Sequence, residues 1–163
     1  MTLLLEHWNV LKQPLLYLSL YFKRHREEYY RRLNDVRSNG DWEAWLDFFL
    51  DGVATIADEA VTAARELFTL ISADRIRVLG HPGMSLVALR LFELLPRHPI
   101  VTTASVMKLV GTTKPTAGRA IELLMAANVL AATTDKKRDR SFVYREYLDQ
   151  LRVGTDLERP RKE

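Results

Sequence analysis

Apolar side chains along this chain recur mostly at three- and four-residue intervals, so helices are expected nearly throughout. Residues 1–10 read as a helix bearing Leu3, Leu4, Trp8 and Leu11, ending before Pro14 because proline disfavours helical geometry in its predecessor. A second helix is expected from Leu15 or Ser19 to Val36, with Leu16, Leu20, Tyr21, Tyr29, Tyr30 and Leu33 as its stripe. Its other face is charged: Glu27 with Arg31 and Glu28 with Arg32 sit four apart, worth about 0.2–0.5 kcal/mol each, so Lys23-Arg24-His25-Arg26 reads as a solvated face. Asn39-Gly40 is a turn signal and Asp41 an N-cap. Trp42, Trp45, Phe48, Phe49, Gly52, Ile56, Ala60, Ala63, Leu67, Leu70 and Ile71 then keep helical spacing, with a kink or break expected near Gly52. Gly52, Ala57, Ala60, Ala63 and Ala64 are small enough to let another helix come close. The aromatic cluster of Tyr17, Tyr21, Phe22, Tyr29, Tyr30, Trp42, Trp45, Phe48 and Phe49 could line a ligand pocket, but its spacing favours core packing.

His81-Pro82-Gly83 punctuates the chain and marks the expected module boundary. Beyond it, Ser85 caps a helix through Leu95, stopped by Pro96 and Pro99, and Thr103 caps a short helix over Ala104–Val110 that ends at Gly111. A third helix starts near Lys114 with Pro115 in its first turn and runs through Met125, turning Ile121, Leu124 and Met125 inward. Two β-capable runs, Val129–Thr134 and Ser141–Tyr144, flank the charged turn from Asp135 to Asp139, and a helix over Glu146–Val153 follows. The expected fold is mainly α: a helical segment over residues 1–80, a winged helix-turn-helix over 84–153 with a small β-hairpin wing, and a polar tail over 154–163.

Composition narrows the chemistry. Apolar residues at 47% and charged residues at 28% argue for a folded globular chain and against disorder. The absence of cysteine excludes disulfides, thiolate zinc sites and cysteine nucleophiles, and fits a reducing compartment. No stretch approaches the ~20 uninterrupted apolar residues of a membrane span, and the start lacks a basic leader, so a cytoplasmic location without membrane partners is expected. His7, His25, His81 and His98 form no pair at metal-binding spacing and read as ordinary side chains. Gly111 and Gly118 are separated by six residues and follow a helix, whereas a phosphate-cradling loop needs four after a strand; no cofactor or metal is expected.

Charge is uneven. Residues 1–80 carry 10 Lys and Arg against 12 Asp and Glu, a balance of −2, and residues 81–163 carry 14 against 9, a balance of +5, part of it in Arg159, Arg161 and Lys162. A helix-turn-helix presents the start of its second helix to the major groove. Thr113, Lys114, Thr116, Ala117 and Arg119 hold those positions; Lys114 and Arg119 suit guanine edges or phosphates, and the threonine hydroxyls suit phosphates. Lys136, Lys137, Arg138 and Arg140 stand in the wing, placed to grip an adjacent backbone, while Glu122, Asp135 and Asp139 oppose an anion. Duplex DNA is therefore one expected partner; the other reading is a protein-interaction or dimerisation module with solvated charges.

Three segments resemble proteins of the Fic family: Pro14-Leu15-Leu16-Tyr17-Leu18-Ser19-Leu20-Tyr21, Arg26-Glu27-Glu28-Tyr29-Tyr30-Arg31-Arg32-Leu33, and the run from Gly40 to Leu50, Gly-Asp-Trp-Glu-Ala-Trp-Leu-Asp-Phe-Phe-Leu. In that family such segments look like the helices after the catalytic loop, in proteins that transfer AMP from ATP to hydroxyl side chains, and many members end in a winged helix similar to residues 86–152. The family's His-Pro-Phe-x-x-Gly-Asn-Gly-Arg signature occurs nowhere in these 163 residues, so its base and phosphate-binding residues carry over to no position. The resemblance implies the C-terminal portion of a Fic protein, with residues 1–80 as a remnant of its core and the signature expected ahead of Met1. No catalysis is expected of the chain itself. A bare remnant face implies a homodimer.

Overall fold

Caps and turn residues set several of the helix ends in this chain, and a computed structural model that describes residues 18–133 and 140–152 has seven helices and three short strands among those residues. The helix expected over residues 1–10 lies outside the described residues, as does Tyr17. The next expected helix is two, α1 (Leu18–Arg24) and α2 (Arg26–Asn39). His25 leaves helical geometry at φ −108°, ψ 42°, with its ring against Tyr21 at a centroid distance of 4.4 Å. The break is local, because Tyr29 N–H still donates to the His25 carbonyl at 2.9 Å. On the charged face Arg31 turns to Glu28 (2.6 Å) and Asp35 (3.9 Å) rather than to Glu27, and Arg32 meets Glu28 as expected. Gly40, in the left-handed region at φ 69°, ends α2, and the Asp41 carboxylate accepts from Ala44 N–H at 3.2 Å to start α3.

Helix α3 runs unbroken over Trp42–Gly80, 39 residues, with no break at Gly52. That glycine is there for space. A Cβ built on it would fall 2.7 and 2.8 Å from ring carbons of Tyr21, so only glycine admits the ring. Helix propensity lost at one position is small beside the apolar surface that the contact buries.

Packing divides the chain into two compact units, one up to Ala64 and one from Arg65. In the first, Tyr21, Phe48 and Ile56 are buried, with Phe22, Tyr29 and Trp45 packed on them; Tyr30 and Trp42 instead stand 57% and 62% exposed, which corrects their placement in the core. The turn at His81-Pro82-Gly83 ends α3, yet Val78 of that helix is fully buried in the second unit with Ile71 packed alongside.

The second unit follows the winged-helix order. It contains α4 (Leu86–Leu94), β1 (Ile100–Thr102), α5 (Thr103–Val110), α6 (Lys114–Ala126), β2 (Ala131–Ala132), β3 (Ser141–Val143) and α7 (Arg145–Arg152). Ser85 caps α4 as expected, accepting from Ala88 N–H at 3.2 Å. The cap of α5 is Thr102 rather than Thr103: its hydroxyl accepts from Ser105 N–H at 3.1 Å, and Ser105 Oγ accepts from Thr102 N–H at 2.8 Å. Strand β1 was not foreseen. It lies on β3 in antiparallel register, Val101 opposite Phe142, and β2 joins the other side of β3 with Ala132 opposite Phe142, giving the order β1-β3-β2. Leu91, Phe92, Leu95, Val106, Ile121, Leu124 and Tyr144 fill the space between helices and sheet.

One polar group is buried with them. Asp74 of α3 is fully buried and accepts from Tyr144 Oη at 2.6 Å. Arg77 Nη2 lies 2.9 Å from the other carboxylate oxygen, close enough to compensate its charge but out of hydrogen-bonding alignment. Arg77 also donates to the carbonyl of Asn128, the left-handed residue (φ 56°) just past α6, at 3.3 Å.

Candidate nucleic-acid interface

Helix α5 stops at Gly111, whose φ of 67° only a glycine adopts without cost, and the chain turns through Thr112 and Thr113 into α6. Pro115 occupies the first turn of α6, where its missing N–H leaves no bond unmade. Ala117, Ala120, Ile121 and Leu124 face the core and fix the helix's rotation. Thr116, Arg119 and Glu122 are thereby turned outward, and Thr113 and Lys114 are exposed at the N-terminal end. No side chain caps this helix; the Thr113 hydroxyl instead lies 3.0 Å from that of Thr116. No side chain accepts from its first N–H groups, and a helix N-terminus of this kind favours an anion.

Electrostatics agree with geometry here. Among the described residues neither Lys114 nor Arg119 pairs with a carboxylate, although Glu122 stands one turn beyond Arg119. Elsewhere in the same unit arginines are engaged: Arg75 meets Glu93 at 2.7 Å and Arg77 meets Asp74.

No protein-family model matches the chain. The reading of the site therefore rests on its own geometry and sequence.

Of the eight residues expected at a duplex, five are among the described residues. Thr113, Lys114, Thr116 and Arg119 come together on α6. Arg140 directly precedes β3, exposed, with its guanidinium 5.5 Å above the Phe142 ring, a contact that holds the charge at the base of the wing. Lys136, Lys137 and Arg138 lie outside the described residues. Sequence reasoning passed over Lys108, exposed in the last turn of α5. The available signal was that the first helix of such a pair crosses the phosphate backbone.

Other chemistry has little to stand on. Among the described residues no group of three or more His, Asp or Glu could hold a metal, and no helix is long and apolar enough to cross a membrane. An open depression of about 490 Å³ lined by Arg24, His25, Arg26, Glu27 and Glu28 sits in the first unit. Glu28 is committed there to Arg31 and Arg32, whose hydrogen bonds hold its carboxyl below the usual range.

Proposed function

We propose that the winged helix binds duplex DNA, with α6 in the major groove and the wing on the neighbouring backbone. On this reading the chain is the DNA-binding or regulatory portion of a Fic-like protein of the cytoplasm, without catalysis of its own. The observation that carries it is the outward row of Thr113, Lys114, Thr116 and Arg119, its two cations unengaged by carboxylates among the described residues. Within it, Arg119 reads a base edge, and Lys114 and the threonines hold phosphates. The Fic resemblance supplies the context, since family members often end in such a domain.

The test is a fluorescence-anisotropy titration of random duplexes and of the protein's own promoter at low and moderate salt. Binding that weakens steeply with salt is expected, because each phosphate contact releases counterions. No binding at low salt, where that term is largest, transfers the domain to the protein-interaction reading.

A further inference from the structure

Within the first unit, helix α3 leaves one apolar row bare. Trp42, Leu46 and Leu50 follow one another at four-residue steps and are 62%, 52% and 59% exposed. Four residues carry a helix only about 40° past a full turn, so the three share one side, next to the packed row of Trp45, Phe48 and Ile56. The neighbouring helix widens that side. Tyr29 of α2 meets Trp45 at a centroid distance of 5.7 Å and Phe22 of α1 meets Phe49 at 6.3 Å, so the chain there runs antiparallel to α3. In an antiparallel pair the residues following Tyr29 and Trp45 turn the same way, which puts Tyr30, 57% exposed, on the side of Leu46. Lone exposed apolar residues are ordinary on a protein surface; four gathered on one side of a helix pair call for a partner.

Charge along the same stretch says which partner. Each member of the row is followed by an exposed acid: Trp42 by Glu43, Leu46 by Asp47 and Leu50 by Asp51. The acids form a ladder of like charges along the edge away from α2, at a spacing that weakens an isolated helix. Glu43 lies in the first turn, where the helix dipole favours an acid, but Asp47 and Asp51 stand beyond that reach. No cation of the unit answers them. Every Lys and Arg described in it belongs to α1 or α2. Arg24 holds Glu59 at 2.8 Å, Arg31 and Arg32 hold Glu28, and Arg26 lies over the Tyr30 ring at 5.6 Å. The face is therefore bordered by acids along α3 and, through Arg26, by a cation along α2.

We propose that this face docks an amphipathic helix of another protein, one whose apolar stripe is bordered on a single side by Lys or Arg at helical spacing. The stripe covers Trp42, Leu46, Leu50 and Tyr30, and the basic border lies along Glu43, Asp47 and Asp51. A second copy of the chain suits the charges less well, because an antiparallel copy brings ladder against ladder. Every residue of the face lies in the first unit and none in α6 or the wing, so its failure leaves DNA binding standing.

The probe is a fluorescein-labelled helical peptide of about eighteen residues, five turns, with a leucine stripe and lysines along one border. A second peptide carries glutamate in place of lysine. Titrated with the full chain at moderate salt, the lysine peptide is expected to bind and the glutamate peptide to bind about tenfold more weakly. Asp47→Lys with Asp51→Lys should reverse that preference, which a chain that failed to fold would not do. Leu46→Ser with Leu50→Ser should weaken the lysine peptide about tenfold at unchanged helical circular dichroism. No binding of the lysine peptide, equal binding of the two peptides, a preference unchanged by the charge reversals, indifference to the serine pair, or a native dimer that the serine pair dissolves each overturns the proposal.

Discussion

At the scale of single residues, Gly52 and Tyr144 show how much depends on space and on one buried charge. A methyl group at Gly52 has to displace the Tyr21 ring, so Gly52→Ala should destabilise the first unit by about 1–3 kcal/mol in urea, although alanine favours helix. Tyr144→Phe leaves the Asp74 carboxylate without its hydroxyl donor and should cost about 1.5–3 kcal/mol. Burial, with the hydrogen bond to Asp74 second, raises the Tyr144 phenol above its usual value of 10.0. The unfolded chain ionises there first, so this contribution is intact below pH 10 and is lost as pH climbs beyond it. Stability measured from pH 9 upward, about where tyrosine begins to ionise, should fall more steeply in the native chain than in Tyr144→Phe. Equal slopes would refute the assignment. Arg119→Ala should cost about 1–3 kcal/mol on a preferred site and little on random duplexes. Of these residues Arg119 was legible in position only, as an outward side chain in the first turns of its helix. At Gly52 the sequence predicts a bend, because a glycine's local propensity is visible in a sequence and the ring facing it is not.

At the scale of elements, caps were legible where the capping chemistry is unambiguous. Asp41 and Ser85 each start a helix as expected. Thr102 and Thr103 are adjacent and both able to cap, and only the reciprocal bonds with Ser105 decide between them. Thr102→Ala should therefore lower stability by about 1 kcal/mol, with Thr103→Ala closer to neutral; the reverse order in thermal melts would contradict the capping box. Strand β1 leaves no signal in the sequence, because three residues after Pro99 offer no alternation to count and its pairing with β3 joins positions some forty residues apart. The wing's lysines and arginines were legible as charge. If Lys136 and Lys137 touch phosphates, replacing both with Ala should weaken all duplexes alike and lower the salt slope by about 0.9 per lost contact. A loss confined to one sequence would mean that they read bases.

At the scale of the whole molecule, the mainly helical class and the winged-helix order could be read from periodicity and punctuation. The way packing divides the chain could not. Punctuation falls at residues 81–83, while the second unit's core takes in Val78 and the Asp74–Tyr144 bond from α3. A fragment beginning at residue 84 should thus be less stable than one beginning at 65 by ~3–5 kcal/mol, the burial of Val78 and that bond together; equal melting curves would disprove it. Incubated with labelled ATP and a cell extract, the pure chain should label nothing, because its sequence holds no Fic signature loop. Reproducible labelling would remove the proposed non-catalytic role.

The unburied middle of α3 also sets a clock on its backbone. Amides around Val78 sit in a packed core and should exchange with deuterated water only as slowly as the second unit opens, whereas between Ala57 and Leu70 no described residue is fully buried and the amides should open more readily. In dilute solution the label should enter that middle stretch first. The rates at Val78 should stay slow meanwhile, so that one helix keeps two times.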